Sequence, residues 1–101
     1  MKSVLLSADG PLSVYSVPDI VADNLEEYCL EFCNKWIWTS PHAEKYKTGM
    51  GVCFDERAFI EYLNECIFTD APSQLVETLD NVPVGSDDIP EKYKHCKWFS
   101  F

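Results

Sequence analysis

A proline followed by a long run of helical periodicity constrains this chain more than any other feature. Pro18 lacks an N–H for a strand ladder and fixes its own φ, so it ends whatever strand precedes it. From Asp19 to Trp38, the residues Val21, Leu25, Tyr28, Cys29, Phe32 and Trp36 fall within an arc of about 100 degrees on a helical wheel, the pattern of a core-facing stripe. Asp19 is the expected helix cap. Leu30, Cys33 and Ile37 widen the apolar arc, while Asp23, Glu27, Glu31 and Asn34 hold the opposite side. An arc this wide reads as a central helix flanked by other elements, with a partner-binding shoulder as the alternative.

The remaining elements are placed around that helix. Ser3 to Ser7 and Leu12 to Val17 are short Val/Leu/Tyr-rich runs on either side of Asp9-Gly10, a strong hairpin signal. Thr39-Ser40-Pro41 stops the helix, and His42 to Gly51 reads as a loop with one helical turn. Val52-Cys53-Phe54 is a short strand. Asp55 is the N-cap of a second helix from about Glu56 to Phe68, with Phe54 and Phe59 at the positions of a hydrophobic staple. Its apolar face is Phe59, Ile60, Leu63, Cys66 and Ile67. Leu75, Val76 and Leu79 have the spacing of a short third helix, Gln74 to Leu79, capped by Ser73. Asn81 to Pro90, rich in Pro, Gly and Asp, is the stretch expected to be most mobile. The aromatic ending from Lys94 to Phe101 reads as a terminal strand.

The expected architecture is α+β, in the order ββαβα(α)β. A small, mainly antiparallel sheet is made of the N-terminal hairpin, the Val52 strand and the C-terminal strand, with the two main helices on one face. At 101 residues and 47% hydrophobic content the chain has material for one core, and residues 1–101 are expected to form one acidic α+β domain.

Charge limits the function classes. Seventeen acidic against eight basic side chains give a net charge of -9, which would repel a phosphate backbone, so direct nucleic-acid binding is not expected. The imbalance is uneven. Between Asp55 and Glu91 the acids Asp55, Glu56, Glu61, Glu65, Asp70, Glu77, Asp80, Asp87, Asp88 and Glu91 face a single base, Arg57, and a second base-free run comprises Asp19, Asp23, Glu26, Glu27 and Glu31. Lys92, Lys94 and Lys97 make the C-terminal end positive.

Acidic rows on helix surfaces complement a basic groove, and the favoured reading is a non-enzymatic module that binds a protein partner with a basic surface. Its concrete form is an inhibitor or modulator of a nucleic-acid-binding protein, through Glu61, Glu65, Asp70, Asp87 and Asp88 with Trp38 as an aromatic anchor. Outer-face acids that only keep the protein soluble are the plainer account. Two other classes stay open. One is a small enzyme using Cys53 with His42 or His95, since Cys53 lies two residues before a capped helix. The other is a self-associating subunit, a homodimer joined through Leu30, Ile37 and Trp38.

Five cysteines, Cys29, Cys33, Cys53, Cys66 and Cys96, form an odd set, which suits reduced thiols in a cytoplasmic protein better than a disulfide framework. Their spacing offers no zinc half-sites that converge, so no metal is expected. Gly49-Met50-Gly51 lacks the lysine of a phosphate loop, and no cofactor site is visible. The N-terminal apolar run is too short for a signal-peptide core, and no stretch approaches the about 18 to 20 residues of a membrane span, so no membrane partner is expected. Two internal echoes stand out: Glu27-Tyr28 with Glu61-Tyr62, and Glu44-Lys45-Tyr46-Lys47 repeated as Glu91-Lys92-Tyr93-Lys94.

Overall fold

The computed structural model describes residues 1–8, 11–49, 51–79, 82 and 87–101. Strands β1 (Lys2–Ser7) and β2 (Leu12–Val17) pair antiparallel with Lys2 opposite Val17 and Leu6 opposite Ser13, the register of a hairpin. The Asp9-Gly10 turn, Met50 of the Gly-Met-Gly unit and much of Asn81 to Pro90 lie outside the described residues.

Both hairpin strands bury both faces. Val4, Leu6, Tyr15 and Val17 join the helices in the larger core, whereas Leu5, Leu12 and Val14 turn the other way onto Leu79, Ile89 and Tyr93. This follows from the two-residue alternation of a strand, and it explains why Val4-Leu5-Leu6 is continuously apolar. The helices do pack on one face; on the opposite face lie Leu79, Val82, Ile89, Tyr93 and Cys96.

The first helical stretch runs as α1 (Asp19–Asp23), α2 (Leu25–Glu31), a π-helical segment (Phe32–Trp36) and α3 (Ile37–Thr39). Asn24 interrupts it with φ -129 and ψ 39, and its side-chain amide donates to the Ile20 carbonyl at 3.0 Å. Pro18, not Asp19, is the capping residue; the Asp19 carboxylate pairs with the Met1 ammonium at 2.9 Å. The stripe residues Val21, Leu25, Cys29 and Phe32 are buried as their spacing predicts. Ile37 is also fully buried, which removes it from the self-association surface and leaves Leu30 and Trp38 exposed there.

Pro41–Tyr46 is a 3-10 helix whose first turn is capped by the Ser40 hydroxyl, which accepts from the His42 N–H at 3.2 Å. Strands β3 (Lys47–Thr48) and β4 (Gly51–Val52) then form a separate two-stranded ribbon. The Val52 strand therefore stands apart from the main sheet, and Cys53 and Phe54 follow it as irregular chain, with the Cys53 N–H bonded to the Tyr46 carbonyl at 2.8 Å.

The second helix begins as the sequence predicts. The Asp55 carboxylate accepts from the Arg57 and Ala58 N–H groups at 3.0 and 3.2 Å, α4 spans Glu56–Tyr62, and a π-helical segment (Leu63–Ile67) completes it.

Gln74–Leu79 is strand β5, not a helix. It pairs with β2, Val14 opposite Glu77 and Tyr15 opposite Leu75, so Val76 is an extra, bulged residue. That bulge shifts the apolar spacing off the strand period of two and produces the i, i+1, i+4 pattern that imitates a helix. Six residues with β-branched Val76 and Thr78 are too few for a stable helix, and the open edge of β2 offers a ladder instead. Ser73 accordingly caps nothing: its N–H donates to Asn64 Oδ1 at 2.6 Å, and its carbonyl accepts from Asn64 Nδ2 at 3.1 Å, tying the second helix to the start of β5.

A 3-10 turn (Glu91–Tyr93) leads to β6 (Trp98–Ser100), which lies parallel to β1. The main sheet has the order β5-β2-β1-β6. The chain is thus a small mixed α+β domain with two main helices. Among the described residues no helix is long and apolar enough to cross a membrane.

Candidate protein-binding surface

The six residues singled out from sequence occupy different parts of the molecule. Glu61 and Glu65 lie one turn apart on the second helix, and Asp70 follows in the turn after Phe68. Asp87 and Asp88 precede Ile89, which packs on the opposite face of the sheet. Trp38 lies in the last segment of the first helical stretch, 54% exposed, with its indole Nε1 donating to the Cys33 carbonyl at 3.1 Å. The structure brings Glu61, Glu65 and Asp70 to the helix layer and leaves Asp87 and Asp88 on the other side of the sheet.

Glu61 is engaged within the chain. Its two carboxylate oxygens accept from the Lys45 ammonium and the Tyr46 hydroxyl, and hydrogen bonding by Lys45 first and Tyr46 second holds its pKa below the ordinary carboxylate value. Burial first, and then the bond to Glu61, pushes the Tyr46 hydroxyl up.

The same arrangement recurs on the other face, in the other copy of Glu-Lys-Tyr-Lys. Lys92 and Tyr93 bind the carboxylate of Glu77 on β5, as Lys45 and Tyr46 bind Glu61. Each tyrosine ring carries the preceding lysine over it, at 5.4 Å in the first copy and 5.0 Å in the second. Each copy also closes on itself through an i,i+3 ion pair, Glu44 with Lys47 and Glu91 with Lys94. Lys and Tyr are long enough to reach one carboxylate from adjacent positions of a 3-10 turn. The repeated tetrapeptide is a clasp that fastens an irregular segment to a glutamate on a regular element.

These clasps, with Arg57 on Asp55, neutralise part of the acidic window. Glu65 and Asp70 make no ion pair among the described residues, and neither do Glu26 and Glu27 on the first helical stretch. One of these, Glu27, lines a groove of about 310 Å³ between the two helices together with Ile20, Asn24, Tyr28, Glu31 and Tyr62; Glu31 is paired with the exposed Lys35 at 3.6 Å. Its floor is aromatic: Tyr62 is buried, and the half-buried Tyr28 ring lies 6.1 Å from Phe68. Burial raises the Tyr62 hydroxyl pKa, and the negative charge of Glu31 adds to the rise. Ile20, apolar yet 52% exposed, forms one end.

Carboxylates beside a tyrosine floor suit an ammonium or guanidinium, which gains both charge pairing and ring-face attraction while its aliphatic stem lies on apolar surface. Sequence reasoning assigned Tyr28 to the core stripe and overlooked this groove. The signal available was the echo Glu27-Tyr28 and Glu61-Tyr62, whose two tyrosines line the same seam.

The thiols have the opposite character. All five cysteines are free. Burial raises the pKa values of Cys29, Cys33 and Cys96, which disfavours the nucleophilic thiolate. Cys53 is exposed, and neither His42 nor His95 forms a hydrogen bond to its sulfur. Among the described residues no three His, Cys, Asp or Glu side chains group as metal ligands. No protein-family model, curated protein or solved structure matches the chain.

Proposed function

We propose that this protein is a non-enzymatic binding module whose helix layer receives a basic side chain of a protein partner in the groove between the two helices. The observation that carries the reading is the groove's composition: Glu27 and Glu31 line it with Tyr28 and Tyr62, no basic residue is among those lining it, and the exposed Lys35 holds Glu31 only at a loose 3.6 Å. Glu65 and Asp70 extend the negative field beyond the groove, where they steer a cationic partner before contact. A nucleic-acid-binding protein, whose phosphate-binding surface is basic, is the partner class that such a field complements. Acids beyond the sheet, Asp87 and Asp88, belong to this reading only through the long-range field.

A short Lys/Arg peptide is the probe. Titrated into the 15N-labelled protein, it is expected to shift the amides of Glu27, Tyr28, Glu31 and Tyr62. Its affinity should fall as salt rises from about 0.1 M to about 1 M, where the Debye length shrinks from about 10 Å to about 3 Å. Glu27→Gln with Glu31→Gln should weaken it further at fixed salt while the far-UV spectrum stays unchanged. A peptide affinity indifferent to both changes ends the proposal.

A further inference from the structure

A second cleft has the opposite sign. It measures about 440 Å³, and its walls include Lys2, Ser3, Asp23, Lys92, His95 and Lys97. In a chain with seventeen acids and only eight bases, three lysines and one of the two histidines meet around one opening. They come from opposite ends of the sequence, brought together because β6 lies parallel to β1 at the sheet edge.

The lysines are only partly compensated. Lys2 holds the Asp23 carboxylate at 2.7 Å, Lys97 donates to the Asp23 carbonyl at 2.6 Å where the helix breaks, and Lys92 meets Glu77 at a looser 3.4 Å. An ammonium carries three donors, so each keeps hydrogen-bonding capacity for a further acceptor. Asp23 is the one carboxylate lining the cleft, and it leaves the wall with a positive excess.

From this we infer that the cleft between β1, the α1–α2 break and the 92–97 segment is a binding site for a small molecule bearing a phosphate-type oxyanion. Lys92 and Lys97 supply charge-assisted hydrogen bonds, with His95 and the Ser3 hydroxyl as further donors. The volume exceeds that of a bare phosphate and falls in the range of small-ligand sites, so the natural occupant is an organic oxyanion. An adjoining cleft shares Asp23, Cys96 and Lys97; Leu25 and the exposed Trp98 indole give it apolar surface for the ligand's uncharged body, while its Glu26 and Glu27 confine the oxyanion to the lysine-lined side. The lysine-lined cleft itself shares no lining residue with the acidic groove, so it does not depend on what that groove binds.

Inorganic phosphate, titrated at constant ionic strength against a chloride reference, tests it. The expected result is saturating amide shifts confined to Ser3, His95, Cys96 and Lys97. Lys92→Gln combined with His95→Gln should weaken binding by about tenfold or more, through loss of the Lys92 charge-assisted hydrogen bond and the His95 donor. Lys35→Gln, on the exposed side of the first helical stretch, should leave it unchanged. His95→Gln alone, at an exposed position, should also weaken binding and keeps the test valid should the double variant fold poorly. Shifts that never saturate, that spread over every lysine alike, or that survive the Lys92 and His95 changes overturn the inference.

Discussion

Phe32 carries the larger core. The rings of Trp36, Phe54, Phe59, Tyr62 and Phe101 all have centroids 5.3 to 5.7 Å from its own, and its side chain is fully buried. Phe32→Ala removes the shared neighbour of both helices and the C-terminal chain, and should cost about 3 to 5 kcal/mol in urea denaturation. Its helical periodicity announced that burial. Glu61 was not legible in the same way: wheel position assigns it to water, but its partners Lys45 and Tyr46 come from a segment with no periodic signal. Its folded pKa lies below its unfolded one, so the stabilisation from this carboxylate is present above the ordinary carboxylate pKa. It is lost as pH falls through the lower, folded value. Glu61→Gln should therefore destabilise by about 1 kcal/mol or less near neutrality, since the carboxylate is partly solvated. The difference from wild type should close as acid titrates the group; a gap that persists at low pH contradicts the assignment.

Among the elements, the two helices differ in how they begin. The second has a side-chain cap, and Asp55→Ala should lower stability by about 1 kcal/mol in thermal or urea unfolding, through loss of the bonds to the Arg57 and Ala58 N–H groups. Asp19→Ala should cost less, because Asp19 makes no capping hydrogen bond. The second start was readable from Phe54-Asp55-Glu56 alone, since a cap is a local interaction. Strand β5 was not: its bulge at Val76 gives it a helix-like apolar spacing, and only the unpaired edge of β2 decides between the two conformations. Segments of five or six residues have too little intrinsic preference to resist such a tertiary choice. The Glu-Lys-Tyr-Lys clasps show the reverse dependence, for an identical local sequence gives the same 3-10 turn and the same Lys–Tyr grip in two unrelated settings.

At the scale of the molecule, β1 and β2 are interior strands with a hydrophobic layer on each side, whereas β5 and β6 are edges. Amide hydrogen exchange should be slowest in Val4, Leu5, Leu6, Val14 and Tyr15 and faster in Leu75, Val76 and Trp98, which are all about half exposed. Equal protection along all four strands would show that the edges are covered in solution. The charge distribution is also settled at this scale. The described acids that look like one run between Asp55 and Glu91 divide between the helix layer and the other side of the sheet, and two of them, Glu61 and Glu77, are held by lysines remote in sequence. Periodicity and caps, which act over one or two helical turns, made both helices, the hairpin and the central core residues readable from the chain by itself, along with its acidity. Tertiary structure alone decided the identity of β5, the isolation of the Val52 ribbon, the covering of the second sheet face and the gathering of lysines around one cleft. Each of these depends on energies between segments distant in sequence, whose pairing no local pattern records.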